Sequence, residues 1–331
     1  MELLVTGTPG LLLSSVIALV EAVAELDGHS TRHLTIDDQN TWVGPQSQSC
    51  DGLCLYEVRA PRGTIAQGIE DGHLRAMLVI DDPASCMAVL IRAGHSPQEA
   101  ARALSAAASP LGALVGLDTV TVLTPDMALA EAVEAIRRGI GHNPSGAEQT
   151  VLSQRFAARD SGAPLASLAS PERARSSSGL SDEAQALVDE VITPMFQIAA
   201  SGRRQKITWS RAGLFWGDRP GEPLPRIIDL TGPARVLAYG PYFYLPAGGW
   251  TVRAVLAFSP AAVGAPMAVE LHGDGLLGRG RLSPKQAGVF AASFPADVRS
   301  PHVPIEVRVV SEAGAIDGEI GVDHLALVPR E

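Results

Sequence analysis

The first 140 residues alternate short apolar runs with stretches of helical spacing. Leu3–Thr6 is an apolar run of strand length, and Leu12–Leu26 repeats apolar residues at the intervals of a helix. Further strand-like and helix-like segments follow in turn at Leu53–Val58, Arg75–Ile80, a helix that begins at Asp82-Pro83, Pro97–Ala108 with Ser96 as N-cap, Thr119–Leu123 and Asp126–Gly139. Strands that alternate with helices predict an α/β domain with a doubly wound parallel sheet.

The pattern changes twice in the second half of the chain. Ser181–Ala199 has the spacing of an amphipathic helix, in which Pro194 is expected to introduce a kink. After residue 205 the helical period disappears, and nine β-rich runs follow between Gly and Pro turns, at Lys206–Ser210, Arg226–Leu230, Arg235–Tyr239, Tyr242–Leu245, Thr251–Phe258, Ala268–Leu271, Val289–Phe294, Ile305–Val310 and Gly318–Leu327. Short strands at this spacing predict a jelly-roll-like β-sandwich. We therefore predict an α/β domain over 1–145, a helical connector over 146–204 and a β-sandwich over 205–331.

Composition narrows the class of protein. The formal net charge of −10 argues against a protein that binds a nucleic-acid backbone. Three cysteines, Cys50, Cys54 and Cys86, are few and odd in number, which favours a reducing compartment over a disulfide framework. The apolar stretch Leu3–Val23 is interrupted by the turn at residues 7–10, so we expect no transmembrane segment and a cytoplasmic location.

A turn that resembles a phosphate loop follows the first predicted strand. Successive backbone N–H groups between a strand and a helix attract anions, and the candidate anion ligands here are Gly7, Thr8, Gly10, Ser14 and Ser15. A working phosphate loop also needs a cation, and no Lys or Arg occurs between residues 1 and 28. Apolar side chains, those of Leu11, Leu12 and Leu13, stand in the middle of the loop.

Two segments carry a resemblance to the sulfotransferase family. Val5-Thr6-Gly7-Thr8-Pro9 resembles the start of that family's P-loop, which binds the donor 3′-phosphoadenosine-5′-phosphosulfate. Residues 77–90 are similar to the segment that grips the donor's 3′-phosphate: Asp82 and Pro83 match, but Asp81 stands where the family has an Arg. The resemblance implies a sulfotransferase-like domain over about 1–140. Because an Asp repels phosphate where an Arg binds it, we expect the nucleotide to have been lost and no cofactor to be bound.

Other residues of this domain offer alternatives that the sequence leaves open. Asp82 is expected to cap the following helix, although together with Asp81 it has the chemistry of a divalent-cation ligand. A sulfotransferase needs a base, and His33 or His73 has the right chemistry. His33 and His29 would share a face if the first helix continued, but Gly28 favours a loop. We assign no catalytic residue and no metal ligand.

The densest aromatic segment runs from Tyr239 to Arg253 and is similar to the β-sandwiches of carbohydrate-binding modules. Sugars stack their C–H faces on aromatic rings. The predicted ligand-binding residues are Tyr242, Tyr244, Trp250, Trp216 and Arg253. The alternatives are that Trp250 and the tyrosines belong to the core, and that Trp216, like Trp209, packs one domain on the other.

These observations lead to one functional hypothesis and two alternatives. The hypothesis is a non-catalytic, glycan-associated accessory protein of bacterial type, acting in the assembly or export of a surface polysaccharide. Its expected partners are polysaccharides or glycan-assembly proteins, reached through protein contacts and saccharide binding. The alternatives are a carbohydrate sulfotransferase with an unusual donor site, for which 3′-phosphoadenosine-5′-phosphosulfate would be the cofactor, and a purely structural scaffold protein.

Overall fold

The computed structural model describes residues 2–36, 39, 52–141, 162–169 and 179–330. The chain forms two compact units, here the α/β unit (1–94, 110–180 and 196–203) and the β unit (95–109, 181–195 and 204–331). These units differ from the predicted boundaries, because residues 95–109 group with the C-terminal strands and not with the α/β domain in which we had placed them. Much of the predicted connector, residues 146–161 and 170–178, lies outside the described residues, as does Cys50.

The α/β unit contains a five-stranded sheet in the order β2-β3-β1-β4-β5. Every neighbouring pair in it is parallel, which confirms the predicted parallel sheet. Its strands are β1 (Glu2–Gly7), β2 (Thr31–Ile36), β3 (Leu53–Val58), β4 (Arg75–Val79) and β5 (Val120–Leu123). The central strands read as continuous apolar runs because they are buried on both faces.

The described residues up to 140 form the α-helices α1 (Leu11–Leu26), α2 (Gly63–Glu70), α3 (Pro83–Arg92), α4 (Pro97–Ala108) and α5 (Leu129–Gly139). Capping side chains fix where two of them begin. The Asp82 carboxylate accepts the Ser85 N–H at 2.8 Å at the start of α3, and Ser96 and Glu99 form a reciprocal capping box at the start of α4. The predicted cap roles of Asp82 and Ser96 are therefore confirmed.

Two elements of the α/β unit differ from the prediction. The segment after α1, expected to be a loop, is the edge strand β2, which pairs with β3. An edge strand needs few apolar residues, and β2 has mainly polar, partly exposed ones. Helix α2 was not predicted, because it is short and glycines at 63 and 68 weaken its helical pattern.

The amphipathic segment after residue 180 is not a single α-helix. It consists of α6 (Asp182–Leu187), a π-helical turn (Val188–Ile192) and α7 (Thr193–Ser201). The expected irregularity at Pro194 lies next to this turn, since a proline has no N–H with which to continue the helical ladder. The prediction of one kinked helix thus located the segment but missed its π turn.

The β unit is a sandwich of two antiparallel sheets, which confirms the predicted β-sandwich. One sheet has the order β13-β10-β15-β6, with β8 also pairing with β15, and the other has the order β12-β11-β14-β9-β7. The strands are β6 (Ile207–Ser210), β7 (Phe215–Trp216), β8 (Ile228–Asp229), β9 (Arg235–Phe243), β10 (Gly248–Phe258), β11 (Met267–His272), β12 (Leu276–Leu282), β13 (Gly288–Val298), β14 (Ile305–Ser311) and β15 (Glu319–Pro329).

Alternate residues of these strands form the core of the sandwich. In β10, for example, every second residue from Trp250 to Phe258 is buried, and the intervening ones are exposed or half-buried. The same period of two occurs in β14, where Glu306 and Arg308 point away from the core. Glu306 and Arg308 therefore lie on the outer face of the sheet that contains β9 and β14.

The state of the cysteines departs from the prediction. Cys54 is disulfide-bonded, whereas the sparse cysteines had argued against disulfides. Cys86 is free and buried. Among the described residues, no helix is both long and apolar enough to span a membrane.

Candidate functional site

The turn between β1 and α1 is closed by hydrogen bonds within the chain. Thr8 is fully buried, and its N–H donates to the Val79 carbonyl at 3.0 Å. Its hydroxyl oxygen accepts the Asp81 N–H at 2.9 Å. Because β4 lies next to β1 in the sheet, the residues that follow β4 meet this turn at the carboxyl edge of the strands.

The side chain of Asp81 occupies the N-terminus of α1. One carboxylate oxygen, Oδ2, accepts the Leu12 N–H at 2.9 Å, and the other, Oδ1, accepts the Asp82 N–H at 2.6 Å. Asp81 is only 2% exposed. The resemblance had placed Asp81 at a second phosphate position, whereas the structure places its carboxylate at the first one. A group of the chain itself therefore fills the position that an external anion would need.

The five predicted anion ligands lie at this turn, but little of their chemistry is available. A Cβ atom on Gly7 would lie 2.1 Å from the Val79 carbonyl oxygen, so this glycine serves the close approach of two strands. A Cβ atom on Gly10 would lie 2.3 Å from Asp81 Oδ2. The Ser15 hydroxyl donates to the Leu11 carbonyl at 3.0 Å, and Ser14 points to solvent.

The histidines considered as bases lie apart from this turn. His33 is on β2, between Glu21 at 3.6 Å and Glu57 at 3.4 Å. His73 is exposed in the connection between α2 and β4. Across the part of the chain that the structure describes, no group of three or more His, Cys, Asp or Glu residues is placed to hold a metal ion.

In the β unit, three aromatic rings lie together at the end of β9 and on β7; we call them the aromatic cluster. The ring centroids of Phe215 and Tyr239 are 5.5 Å apart, and those of Tyr239 and Tyr242 are 6.3 Å apart. The Tyr242 backbone is left-handed, with φ 66°, a region that bulky residues rarely adopt. Its hydroxyl donates to Glu306 Oε1 at 3.2 Å. Burial, followed by the neighbouring Glu306 carboxylate, raises the pKa of the Tyr242 phenol.

Helix α4 contributes a cation to the aromatic cluster. The Arg102 guanidinium carbon lies 5.3 Å from the centroid of Phe215 and 5.4 Å from that of Tyr242. Arg102 Nε also donates to the Pro241 carbonyl at 2.9 Å. Ser105, one turn further along α4, accepts the Tyr244 N–H at 3.2 Å. The helix is thereby fixed against the turn that carries Tyr242.

Charged side chains continue the same face across the sheet. Arg308 on β14 stands opposite Tyr239 on β9, and its Nη2 donates to Glu306 Oε2 at 2.7 Å. This bond raises the pKa of Arg308. One strand further, Glu270 is bonded to His272 at 2.9 Å. We call the aromatic cluster together with the charged groups beside it, Arg102, Glu306 and Arg308, the aromatic face.

The predicted ligand-binding residues are divided between different places. Trp250 is completely buried, with its Nε1 donating to the Pro246 carbonyl at 3.1 Å, so it is a core residue and its prediction as a ligand residue is wrong. Arg253 is exposed on β10, in the other sheet from Tyr242, which removes it from this site. Tyr244 and Trp216 are half-buried, and no ring contact joins either of them to the aromatic cluster among the described residues. Trp216 pairs with the buried Ala238, whereas Phe215 pairs with Tyr239, and Arg219 lies 4.8 Å from the centroid of the Trp216 ring.

Sequence reasoning missed several residues of the aromatic face. Glu306 and Arg308 alternate with buried apolar residues in a strand that was predicted, so the period of two could have shown that they point outward. Arg102 gave no such signal, because it lies 139 positions before the carbonyl that it bonds. The position of Trp250 was also readable, since it falls in register with the apolar residues of β10. Trp209 is likewise buried, with its ring edge-on to Phe243 inside the sandwich.

Comparison with known proteins gives structural alignments at low similarity. No protein-family model and no curated protein matches the chain. Solved structures that align include the C-terminal CBM6 of LamC from Zobellia galactanivorans (10% identity, 37% of this chain and 98% of that one, TM-score 0.23) and CBM35 of Abf62 from Cellvibrio japonicus (16%, 38% and 94%, TM-score 0.27). A third is the carbohydrate-binding module CBM36 in complex with calcium and xylotriose (11%, 37% and 98%, TM-score 0.24). TM-scores this low carry no argument about the fold or the ligand of this chain.

Proposed function

We propose that the β unit binds a saccharide on the aromatic face. The observation that carries this proposal is Tyr242, whose half-buried ring is held with a left-handed backbone at φ 66°. Such a conformation costs on the order of 1–3 kcal/mol for a residue with a side chain, and it persists only where surrounding contacts maintain it. Here those contacts are the bond to Glu306 and the guanidinium of Arg102. Strain of this kind concentrates at ligand sites.

The chemistry of the face suits a sugar ring. Aromatic rings provide a surface for apolar C–H groups, and charged groups at their edge orient hydroxyls. Each oxygen of Glu306 accepts one bond from the protein and keeps a further lone pair for a hydroxyl. The Arg308 side chain is 40% exposed, and its guanidinium has N–H donors besides the one bonded to Glu306.

The wider role in this proposal is that of a non-catalytic accessory protein in the assembly or export of a bacterial surface polysaccharide, on the cytoplasmic side. Its partners would be the polysaccharide and the proteins that assemble it. The ion pairs on this face support a binding role, because Glu306, which accepts the Tyr242 hydroxyl, is also paired with Arg308, and Glu270 on the neighbouring strand is paired with His272.

Retention on immobilised polysaccharides tests the proposal. Tyr242→Gly removes the ring while glycine accepts φ 66° without strain, so the turn is kept. Because burying an aromatic ring contributes about 1.5–3 kcal/mol, we expect retention of this variant to weaken about 10- to 100-fold. Arg253→Ala, which changes an exposed residue of the other sheet, is the matched control and should bind like wild type.

Two results would contradict saccharide binding at this face. One is that wild type is retained by none of a broad set of polysaccharides, which would favour a scaffold role. The other is that Tyr242→Gly is retained as strongly as wild type, which would place any glycan site elsewhere in the protein.

A further inference from the structure

We propose that the N-terminus of α1 is an anion site that the chain permanently fills with its own Asp81 carboxylate, and that removing this carboxylate opens a site for a small oxyanion. This inference concerns the α/β unit and is independent of saccharide binding by the β unit. Three features support it: the hydrogen-bond acceptor of the first turn of α1, the burial of the residues around that turn, and the lack of free volume between them.

The first turn of α1 has no cap of its own. Its N-cap residue, Gly10, has no side chain to accept a hydrogen bond, and the first turn contains no acidic residue. Helix N-termini carry unpaired N–H groups and a positive partial charge, so they require an acceptor. The Leu12 N–H finds it in Asp81 Oδ2 at 2.9 Å, across 69 positions of sequence.

Hydrogen bonds fix the Asp81 carboxylate at the N-terminus of α1. Its other oxygen accepts the Asp82 N–H at 2.6 Å, and the Asp81 backbone N–H donates to the Thr8 hydroxyl at 2.9 Å. These bonds hold both the backbone and the side chain of Asp81 against the loop. A buried carboxylate is costly unless N–H groups compensate its charge, and the helix terminus provides that compensation.

No room is left for a second anion at this position. A single Cβ atom added to Gly10 would lie 2.3 Å from Asp81 Oδ2 and 2.8 Å from Cys86 Sγ. Thr8 and Cys86 are completely buried, and Asp81 is 2% exposed. The residues expected to hold a donor nucleotide therefore do not fit its phosphates, since an anion of the same sign already takes the N–H group and the space.

The test is the thermal stability of Asp81→Gly in sodium formate, compared with sodium chloride at equal ionic strength. Asp81→Gly removes the carboxylate together with its methylene, so formate, the smallest free carboxylate, is small enough for the space left. We expect the variant to melt several degrees below wild type in chloride, because a charge-assisted bond is lost. Formate should raise its melting temperature by several degrees, as a ligand that binds the native state alone does. Wild type should gain less from formate than the variant does, since it retains only the general effect of the salt.

A second variant and a second probe sharpen the test. Asp81→Asn keeps the volume of the side chain, so it should fold without opening the site and should not respond to formate. Inorganic phosphate added to Asp81→Gly reports whether the opened site also accepts a larger oxyanion. A rise in melting temperature that exceeds the rise of wild type with the same ion supports the proposal, because phosphate also stabilises folded proteins in general. If Asp81→Gly does not fold in chloride, recovery of folded protein on refolding in formate gives the same support.

The proposal is overturned if formate and phosphate raise the melting temperature of Asp81→Gly no more than that of wild type, or if the variant fails to fold in all three salts. A melting temperature of wild type that rises with 3′-phosphoadenosine-5′-phosphate at millimolar concentration would also overturn it, because it would indicate that the loop still takes an external anion. Neither outcome depends on glycan retention by the β unit.

Discussion

Replacing Gly10 with alanine probes the closed turn with a single methyl group. The Gly10 backbone is extended, with φ −172° and ψ 179°, so alanine adopts it without strain. The cost must therefore come from contacts. The new Cβ atom would lie 2.3 Å from Asp81 Oδ2, far inside van der Waals contact. The Asp81 side chain is short and both of its carboxylate oxygens accept hydrogen bonds, so it cannot rotate away from the methyl group without losing one of them.

The size of the effect follows from these two terms. Forcing a methyl group into a well-packed site costs about 1–3 kcal/mol. Displacing the carboxylate from the Leu12 N–H forfeits a charge-assisted bond of about 1.5–3 kcal/mol. The two costs do not add in full, because moving the carboxylate relieves the steric contact. We therefore expect about 2–4 kcal/mol of local destabilisation, a value between one cost and the sum of both.

Amide hydrogen exchange at Leu12 is the suitable assay, because it reports local opening and does not require two-state unfolding of a two-unit chain. A loss of 2–4 kcal/mol corresponds to exchange about 30- to 1,000-fold faster. Gly68→Ala is the matched control: it adds the same methyl group inside α2, where the nearest atom is the flexible Leu74 Cδ1 at 3.0 Å. If Gly10→Ala exchanges within threefold of wild type at Leu12, the carboxylate is not where we place it.

Three further predictions follow from the structure. Trp250→Ala should lower the free energy of unfolding of the β unit by about 3–5 kcal/mol in denaturant titrations, while the exposed Arg253→Ala changes it by less than about 0.5 kcal/mol. Hydrogen bonds from the Ser96 backbone, then its side chain, lower the pKa of Glu99 below its ordinary value of 4.5, so this stabilisation is present above pH 4.5 and lost as the pH falls through the folded-state pKa. On acidification the melting temperature of wild type should consequently fall more than that of Glu99→Gln. Burial raises the pKa of the Cys86 thiol well above its usual range, so a thiol reagent at neutral pH should label it only after unfolding; labelling of native protein would contradict its burial.

Local patterns were sufficient to predict most elements of the fold. β3 and α4 have the bounds that their patterns indicated, because an apolar run between turns and a Ser-Pro start with Glu three positions on are short-range signals. β2 was missed because an edge strand is specified by its one neighbour and not by its own apolar residues. The compact units differ from the predicted domains for a similar reason, since nothing within α4 shows that its partner is β9.

The candidate site was predictable only in part. The aromatic segment pointed to Tyr242, but not to Arg102 or Glu306, whose positions depend on contacts between distant parts of the chain. Trp250 is a different kind of error. The period of two in β10 places it among the buried residues, but it was predicted as a ligand residue because it is aromatic. Patterning therefore locates the strand faces, while the composition of a site depends on topology.

The position of Asp81 changes the comparison between the two chemical hypotheses for the α/β unit. A donor nucleotide would first have to expel the carboxylate from the Leu12 and Asp82 N–H groups, at about 1.5–3 kcal/mol each. A combined cost of about 3–6 kcal/mol weakens binding about 10²- to 10⁴-fold, so a micromolar site would become a roughly 0.1–10 mM one. An added cation could offset this cost, but the loop from Thr8 to Ser15 contains none. The carboxylate that opposes a nucleotide also accepts the N–H group at the start of α1, so the loop has a structural role. The aromatic face of the β unit is therefore the better candidate for a ligand site.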